Sequence, residues 1–144
     1  MPRIRLEYPD TTIFVHEVTV RVTDLSKASH LGFDNLVNIL NDASAAFFKY
    51  TGIEMSPDED IYVIFADLAV QYLSEAFMGD GLKIEMAVGE KTSKGFELFF
   101  KVVNTTLSRD VALAKTGIVF FNYKTRSAVA VPENFVKFFL DVQI

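Results

Sequence analysis

The stretch Asp34-Asn35-Leu36-Val37-Asn38-Ile39-Leu40-Asn41-Asp42-Ala43-Ser44-Ala45-Ala46-Phe47-Phe48-Lys49-Tyr50 decides the fold. Leu36, Ile39, Leu40, Ala43 and Phe47 recur at intervals of three and four, with Val37 beside them. One apolar stripe therefore runs down a helix over roughly 34–50. Asp34 stands just ahead of the stripe, where a side-chain acceptor can cap orphan amides. Gly52 follows the last turn, a common stop. The small run Ala43-Ser44-Ala45-Ala46 lets such a helix lie close to a sheet.

The flanks supply that sheet. Upstream, residues 12–22 alternate: Phe14, His16, Val18, Val20 and Val22 share one face, and Glu17, Thr19 and Arg21 the other. A period of two reads as a half-buried strand. Residues 24–33 are small and polar, a loop. Downstream of the polar stretch 56–60, residues 61–73 are almost continuously apolar apart from Asp67 and Gln71, as expected of a strand covered by core and by a partner. Gly79-Asp80-Gly81 signals a turn, and Leu82, Ile84, Met86 and Val88 alternate with Lys83 and Glu85. After the turn 91–95, Phe96, Leu98, Phe100 and Val102 oppose Glu97, Phe99 and Lys101. A polar turn at 104–110 leads to the strand 111–122, and 127–131 makes a short last strand. Pro132 opens a terminal helix that ends in Phe138, Phe139 and Leu140. Short polar turns join antiparallel neighbours, because parallel pairing needs a crossover of a dozen residues or more. The expectation is one α+β domain over 1–144, with one long helix against a five- to six-stranded antiparallel sheet.

Composition narrows the function. A chain of 144 residues, half of them hydrophobic and 23% charged, buries enough surface to fold without staples. The absence of cysteine removes disulfide frameworks and thiol nucleophiles, and two histidines argue against a structural zinc site. The net charge of −5, with no basic block, argues against nucleic acid. No run reaches the roughly 18 apolar residues of a membrane span, and the start, MPRIRLEYPD, lacks a signal-peptide core. No membrane partner and a cytoplasmic location are expected.

Several local words resemble the 4-hydroxybenzoyl-CoA thioesterase family, whose members share the hotdog fold. Asp24-Leu25-Ser26-Lys27-Ala28-Ser29-His30-Leu31 is similar to that family's D-x-D-x-x-G-H-V. Tyr72-Leu73-Ser74-Glu75-Ala76 and Gly79-Asp80-Gly81-Leu82 resemble its Y-L-x-P-A and G-D-x-L. The run Ala112–Thr116 with Val119–Asn122 resembles its final long strand, so the likeness covers residues 12–135. His30-Leu31-Gly32-Phe33-Asp34 is similar to the H-L-G-N-D of a bacterial thioesterase-like subgroup. One departure matters. The second aspartate of D-x-D, which the family uses as its carboxylate, is Ser26 here, and the glycine before histidine is Ser29.

The resemblance implies an acyl-CoA or acyl-carrier thioester hydrolase that works as a homodimer or homotetramer, with coenzyme A as part of the substrate and no bound cofactor or metal. Thioester hydrolysis needs donors for the carbonyl oxygen, an activated water or nucleophile, and room for the acyl group. The helix N-terminus supplies donors through its orphan amides, so the amides near Gly32 to Asn35, and with them the backbone of Leu31, Gly32 and Phe33, are the candidate oxyanion site. Asp34 is the leading catalytic carboxylate, or else an N-cap. His30 is a base, a hydrogen-bonder or a loop anchor, and Asn35 bonds the substrate carbonyl or decorates the first turn.

Asp24, Ser26 and Asp67 are secondary candidates, Asp24 also fitting a loop tie and Asp67 a dimer-interface bond. Asp42, about 12 Å along the helix from Asp34, reads as solvated or interfacial, and His16 as a core or interface histidine. The turn bases Lys91, Lys94, Arg109, Lys124 and Arg126 are candidates for the phosphates of coenzyme A. With the family carboxylate replaced, a non-catalytic acyl-binding module is the alternative. A hydratase-like hotdog protein is a third, though the expected paired His and Asp word is missing.

Overall fold

The structure, a computed structural model, describes residues 3–52, 60–133 and 135–136. Strand β1 (Phe14–Thr19) leads through a 3-10 turn (Val22–Asp24) and a loop into helix α1 (Phe33–Thr51). Strands β2 (Ile61–Tyr72), β3 (Gly81–Lys91), β4 (Gly95–Asn104), β5 (Arg109–Asn122) and β6 (Ser127–Ala128) follow. All pairings are antiparallel, in the order β1-β3-β4-β5-β2, with β6 on β5. The expected terminal helix is helical at 133, 135 and 136, while its Phe138, Phe139 and Leu140 lie outside the described residues, as do 56–59 of the polar stretch.

The stripe read from the sequence is the face that α1 buries. Leu36, Ile39, Leu40, Ala43, Ser44, Phe47 and Phe48 are buried, against the inward residues of β3 and β4, Leu82, Ile84, Met86, Leu98, Phe100 and Val102. Rings tie the ends of this layer: Phe14 meets Phe47 edge-on at 5.8 Å, and Phe135 stacks 4.8 Å from Phe96. Gly52 takes the left-handed conformation (φ 73°) that ends the helix, with its amide on Lys49 O.

Three expectations need correction. The helix begins one residue earlier than the sequence indicates, because Gly32 is the N-cap: its carbonyl accepts the Leu36 amide at 2.9 Å. Asp34 therefore sits inside the first turn and makes no cap bond. Strand β1 ends at Thr19, and Val22 is 65% exposed in the 3-10 turn instead of continuing the inward face. Finally, β2 and β3 are not neighbours. The link 73–80 crosses from one edge of the sheet to the other, held by Leu73 N on Val111 O (2.8 Å), Leu31 N on Ala76 O (2.8 Å) and Gly79 N on Val20 O (2.8 Å). The Gly79-Asp80-Gly81 turn is real, but it docks on β1 instead of closing a hairpin.

Candidate active site

The crossing link, the end of β2 and the loop 24–31 converge on the N-terminus of α1. The loop is a small closed hairpin: Leu25 bridges Leu31, and Ser26 N donates to His30 O at 2.8 Å. Ser29 at its tip has φ 64°, the left-handed region where the family pattern carries glycine. Asn35 fastens the loop to the helix, its Nδ2 donating to Asp24 O at 3.1 Å. From the other side Tyr72 Oη donates to Phe33 O at 3.0 Å.

These bonds decide which amides remain. Leu31 N is used by Ala76 O, and Gly32 N donates to Asp24 O at 3.0 Å. Of the candidate backbone positions from Leu31 to Asn35, Leu31 and Gly32 are thus engaged within the chain. Among the described residues, the amides of Phe33, Asp34 and Asn35 find no acceptor. They are the orphan donors of an exposed helix end, where the macrodipole favours negative charge.

Asp34 is exposed beside them, and a Cβ built on Gly32 would lie 2.6 Å from its Oδ1. Burial first, and the Asp34 charge second, raise the Tyr72 phenol above its ordinary value, so it stays a donor at neutral pH. Ser26, where the family carries its carboxylate, is also at the tip, its Cβ 3.6 Å from the same Gly32 position. Its Oγ accepts the Ala28 amide at 3.2 Å. His30 Nδ1 donates to Leu31 O at 3.1 Å, a loop-anchoring bond, and its Nε2 has no partner among the described residues.

The sequence model of the thioesterase-like superfamily matches residues 20–139. The chain belongs to the thioesterase-like superfamily. Among solved structures it resembles a 1,4-dihydroxy-2-naphthoyl-CoA thioesterase from Synechocystis, at 15% identity and a TM-score of 0.80, covering 91% of this chain and 98% of that one. SAV2348 from Staphylococcus aureus, solved in complex with CoA, is 19% identical with a TM-score of 0.85, covering 94% and 87%. The probable thioesterase YbaW from Escherichia coli is 17% identical with a TM-score of 0.73, covering 89% and 97%. At such identities the likeness establishes the fold: one helix against a six-stranded antiparallel sheet, the hotdog fold. No curated protein matches the sequence significantly.

In this thioesterase-like chain the other acidic candidates point elsewhere. Asp24 is buried, and its carboxylate turns back to Arg21, accepting the backbone amide at 2.8 Å and the guanidinium at 3.3 Å. Burial raises its pKa, but the Arg21 bonds and charge outweigh that, and the net shift is downward. Asp24 is therefore a loop tie. Asp67 follows a bulge at which the register slips between Phe65 and Asp67, and its Oδ1 accepts the Gly117 amide at 2.7 Å. That bond lies within the chain. Asp42 accepts His16 Nε2 at 2.8 Å, joining β1 to α1 two turns below the tip.

Of the five turn bases, Arg109 lies at the tip's end of the sheet, its Nη2 donating to Glu75 O at 2.7 Å on the crossing link. Lys91, Lys94, Lys124 and Arg126 belong to the turns at the opposite end, where Gly95 pairs with Val119 and Ile61 with Asn122. Among the described residues no group of three His, Asp or Glu could hold a metal ion, and no helix is long and apolar enough to cross a membrane. Tyr72 and the crossing link are the parts sequence reasoning missed. Tyr72 was visible only as the first letter of a family word, with nothing local to say which carbonyl it would reach.

Proposed function

We propose that this thioesterase-like protein hydrolyses an acyl-CoA thioester at the N-terminus of α1, acting on soluble substrate in the cytoplasm. The observation that carries the proposal is the trio of Phe33, Asp34 and Asn35 amides left without acceptors beside the Asp34 carboxylate. The thioester carbonyl oxygen takes those N–H donors, which become most valuable as negative charge builds on it; one such donor is worth about 10²–10³ in kcat. Asp34 removes a proton from water, and the resulting hydroxide attacks the carbonyl carbon. The tetrahedral intermediate collapses, the C–S bond breaks, and the departing thiolate takes the proton held on Asp34. The products are a carboxylic acid, which gives its remaining proton to solvent and leaves as the carboxylate, and free coenzyme A thiol; the sequence of steps needs no metal ion and no redox cofactor.

A second copy of the chain completes the site in this proposal. Strand β2 spans twelve residues at the sheet edge, and Phe65 and Leu68 on it are 48% and 46% exposed. A long open edge with apolar side chains is a template for pairing, which supports a homodimer joined through β2.

The test is release of thiol from a panel of acyl-CoA esters. The wild-type protein is expected to turn over at least one member, and Asp34→Asn to lose on the order of 10²–10⁴ in kcat. Full activity in Asp34→Asn would move the chemistry away from this carboxylate. Ser26 at the tip supports one alternative, a non-catalytic acyl-binding module. Calorimetric binding of acyl-CoA with no thiol release across the panel would select it.

A further inference from the structure

The three amides at the helix tip are not equally held. An N–H and the C=O of the preceding residue belong to one planar peptide unit and point in opposite directions. The Phe33 N–H shares its unit with Gly32 O, which accepts the Leu36 amide at 2.9 Å, the bond any helix makes at its first turn. The Asn35 N–H shares its unit with Asp34 O, and the Asp34 N–H with Phe33 O. Of these three oxygens, Phe33 O is the one that takes a side-chain donor among the described residues, Tyr72 Oη at 3.0 Å. The donor is fixed to the sheet. Tyr72 ends β2, pairs with Ala112 of β5, and precedes Leu73, whose amide donates to Val111 O at 2.8 Å.

We propose that Tyr72 is a positioning residue for thioester hydrolysis: by donating to Phe33 O it fixes the plane of the 33–34 peptide and strengthens the Asp34 N–H as a donor to the substrate's carbonyl oxygen. The inference rests on the hydrolase reading of this helix tip. Two physical effects act together. Pinning the oxygen of a planar unit fixes the direction of its N–H, so the donor is aimed before the substrate arrives and needs no reorganisation during the reaction. A bond accepted by the carbonyl also polarises the amide, and hydrogen bonds in series strengthen one another by roughly 10–30% each. Full negative charge on the thioester oxygen exists only near the transition state, so a firmer donor acts on kcat far more than on KM. Removing an entire oxyanion donor costs about 10²–10³ in kcat, whereas losing the Tyr72 hydroxyl leaves the N–H in place and removes only its restraint and polarisation, for an expected loss of about tenfold.

The experiment is Tyr72→Phe, which keeps the ring and removes one oxygen, read by thiol release, by a thermal melt and by amide NMR. The expected result is a kcat about tenfold lower, with KM within about twofold of wild type. In the NMR spectrum the Asp34 amide peak should move further than those of Phe33 and Asn35, because its peptide unit alone has lost a partner. A bond that merely stabilised the fold would lower Tm and leave the kcat of the folded protein unchanged. Unchanged kcat in Tyr72→Phe, with the wild-type protein active, overturns this inference and leaves the hydrolase proposal standing. A lower kcat with the Asp34 amide peak unmoved also overturns it, because the hydroxyl would then act by another route. No thiol release from the wild-type protein overturns the hydrolase proposal itself, and this role falls with it.

Discussion

Replacing Gly32 by alanine separates catalysis from folding at one atom. The Gly32 backbone (φ −70°, ψ 148°) suits any L-residue, so alanine brings no backbone strain. Its Cβ would lie 2.6 Å from Asp34 Oδ1, and the next contacts, Asn35 Nδ2 and Ser26 Cβ, are both at an ordinary 3.6 Å. Restoring a normal separation of 3.4 Å moves the Asp34 carboxylate by about 0.8 Å. Misplacing a reacting group by about 1 Å costs on the order of 10²-fold, so Gly32→Ala should lose roughly 30- to 100-fold in kcat. Stability should barely change. Alanine is the poorer N-cap by about 0.5–1 kcal/mol, and the smaller entropy of its unfolded chain offsets about 0.4–1 kcal/mol. A melting temperature within about 4 °C of wild type is expected. The assay is thiol release under saturating acyl-CoA, beside a thermal melt. Undiminished kcat in a folded Gly32→Ala would show that the position of the Asp34 carboxylate is immaterial, and the base would have to be sought elsewhere.

Asp67→Ala should leave the hydrolytic rate near wild type while lowering stability by about 1 kcal/mol, because the Gly117 amide at the bulge loses its acceptor; a large rate loss without destabilisation would return Asp67 to the active site. Asp24 and Glu97 both have folded-state pKa values below the ordinary carboxylate range. Their stabilising contribution is present above the unfolded-state value near pH 4 and is lost as pH falls through the lower folded values. Acid melts of Asp24→Asn should therefore show a lower Tm at pH 7 and a shallower decline below about pH 4 than wild type, and parallel curves would discount the Arg21 contact. Sedimentation equilibrium should find the wild-type protein as a dimer or larger and Leu68→Glu as a monomer; a wild-type monomer at micromolar concentration would remove the β2-edge pairing.

How much of this was legible beforehand depends on where the cause lies. The apolar stripe of α1, the alternation of β3 and β4, and the stop at Gly52 depend on side chains a few residues apart, and each lies where the pattern put it. Val22 shows the limit. It continues the parity of β1, yet the chain has already left the strand, because Asp24 and Arg21 close a 3-10 turn that competes with the strand's last residues. From sequence the crossing link has only the mark of a turn, since Gly79 and Gly81 look the same in a hairpin and in a loop that docks on a distant edge.

The candidate site divides in the same way. Asp34, Asn35 and the helix tip were accessible from sequence because they are consecutive and because any helix exposes its first amides. Which amides stay available was not, since Gly32 is consumed by the carbonyl at 24 only when the loop closes on itself, and Leu31 by the carbonyl at 76 only once the link has crossed the sheet. Sequence by itself determined the elements, their amphipathic faces and the charged residue at the helix mouth, all set by interactions local in the chain. Tertiary structure alone decided that Tyr72 holds the first turn and that Asp24 and Asp67 serve backbone amides. Those pairs lie 39, 3 and 50 residues apart; the long-range ones depend on sheet order, which no local pattern encodes, and at three residues the competition was between two conformations that the same side chains allow.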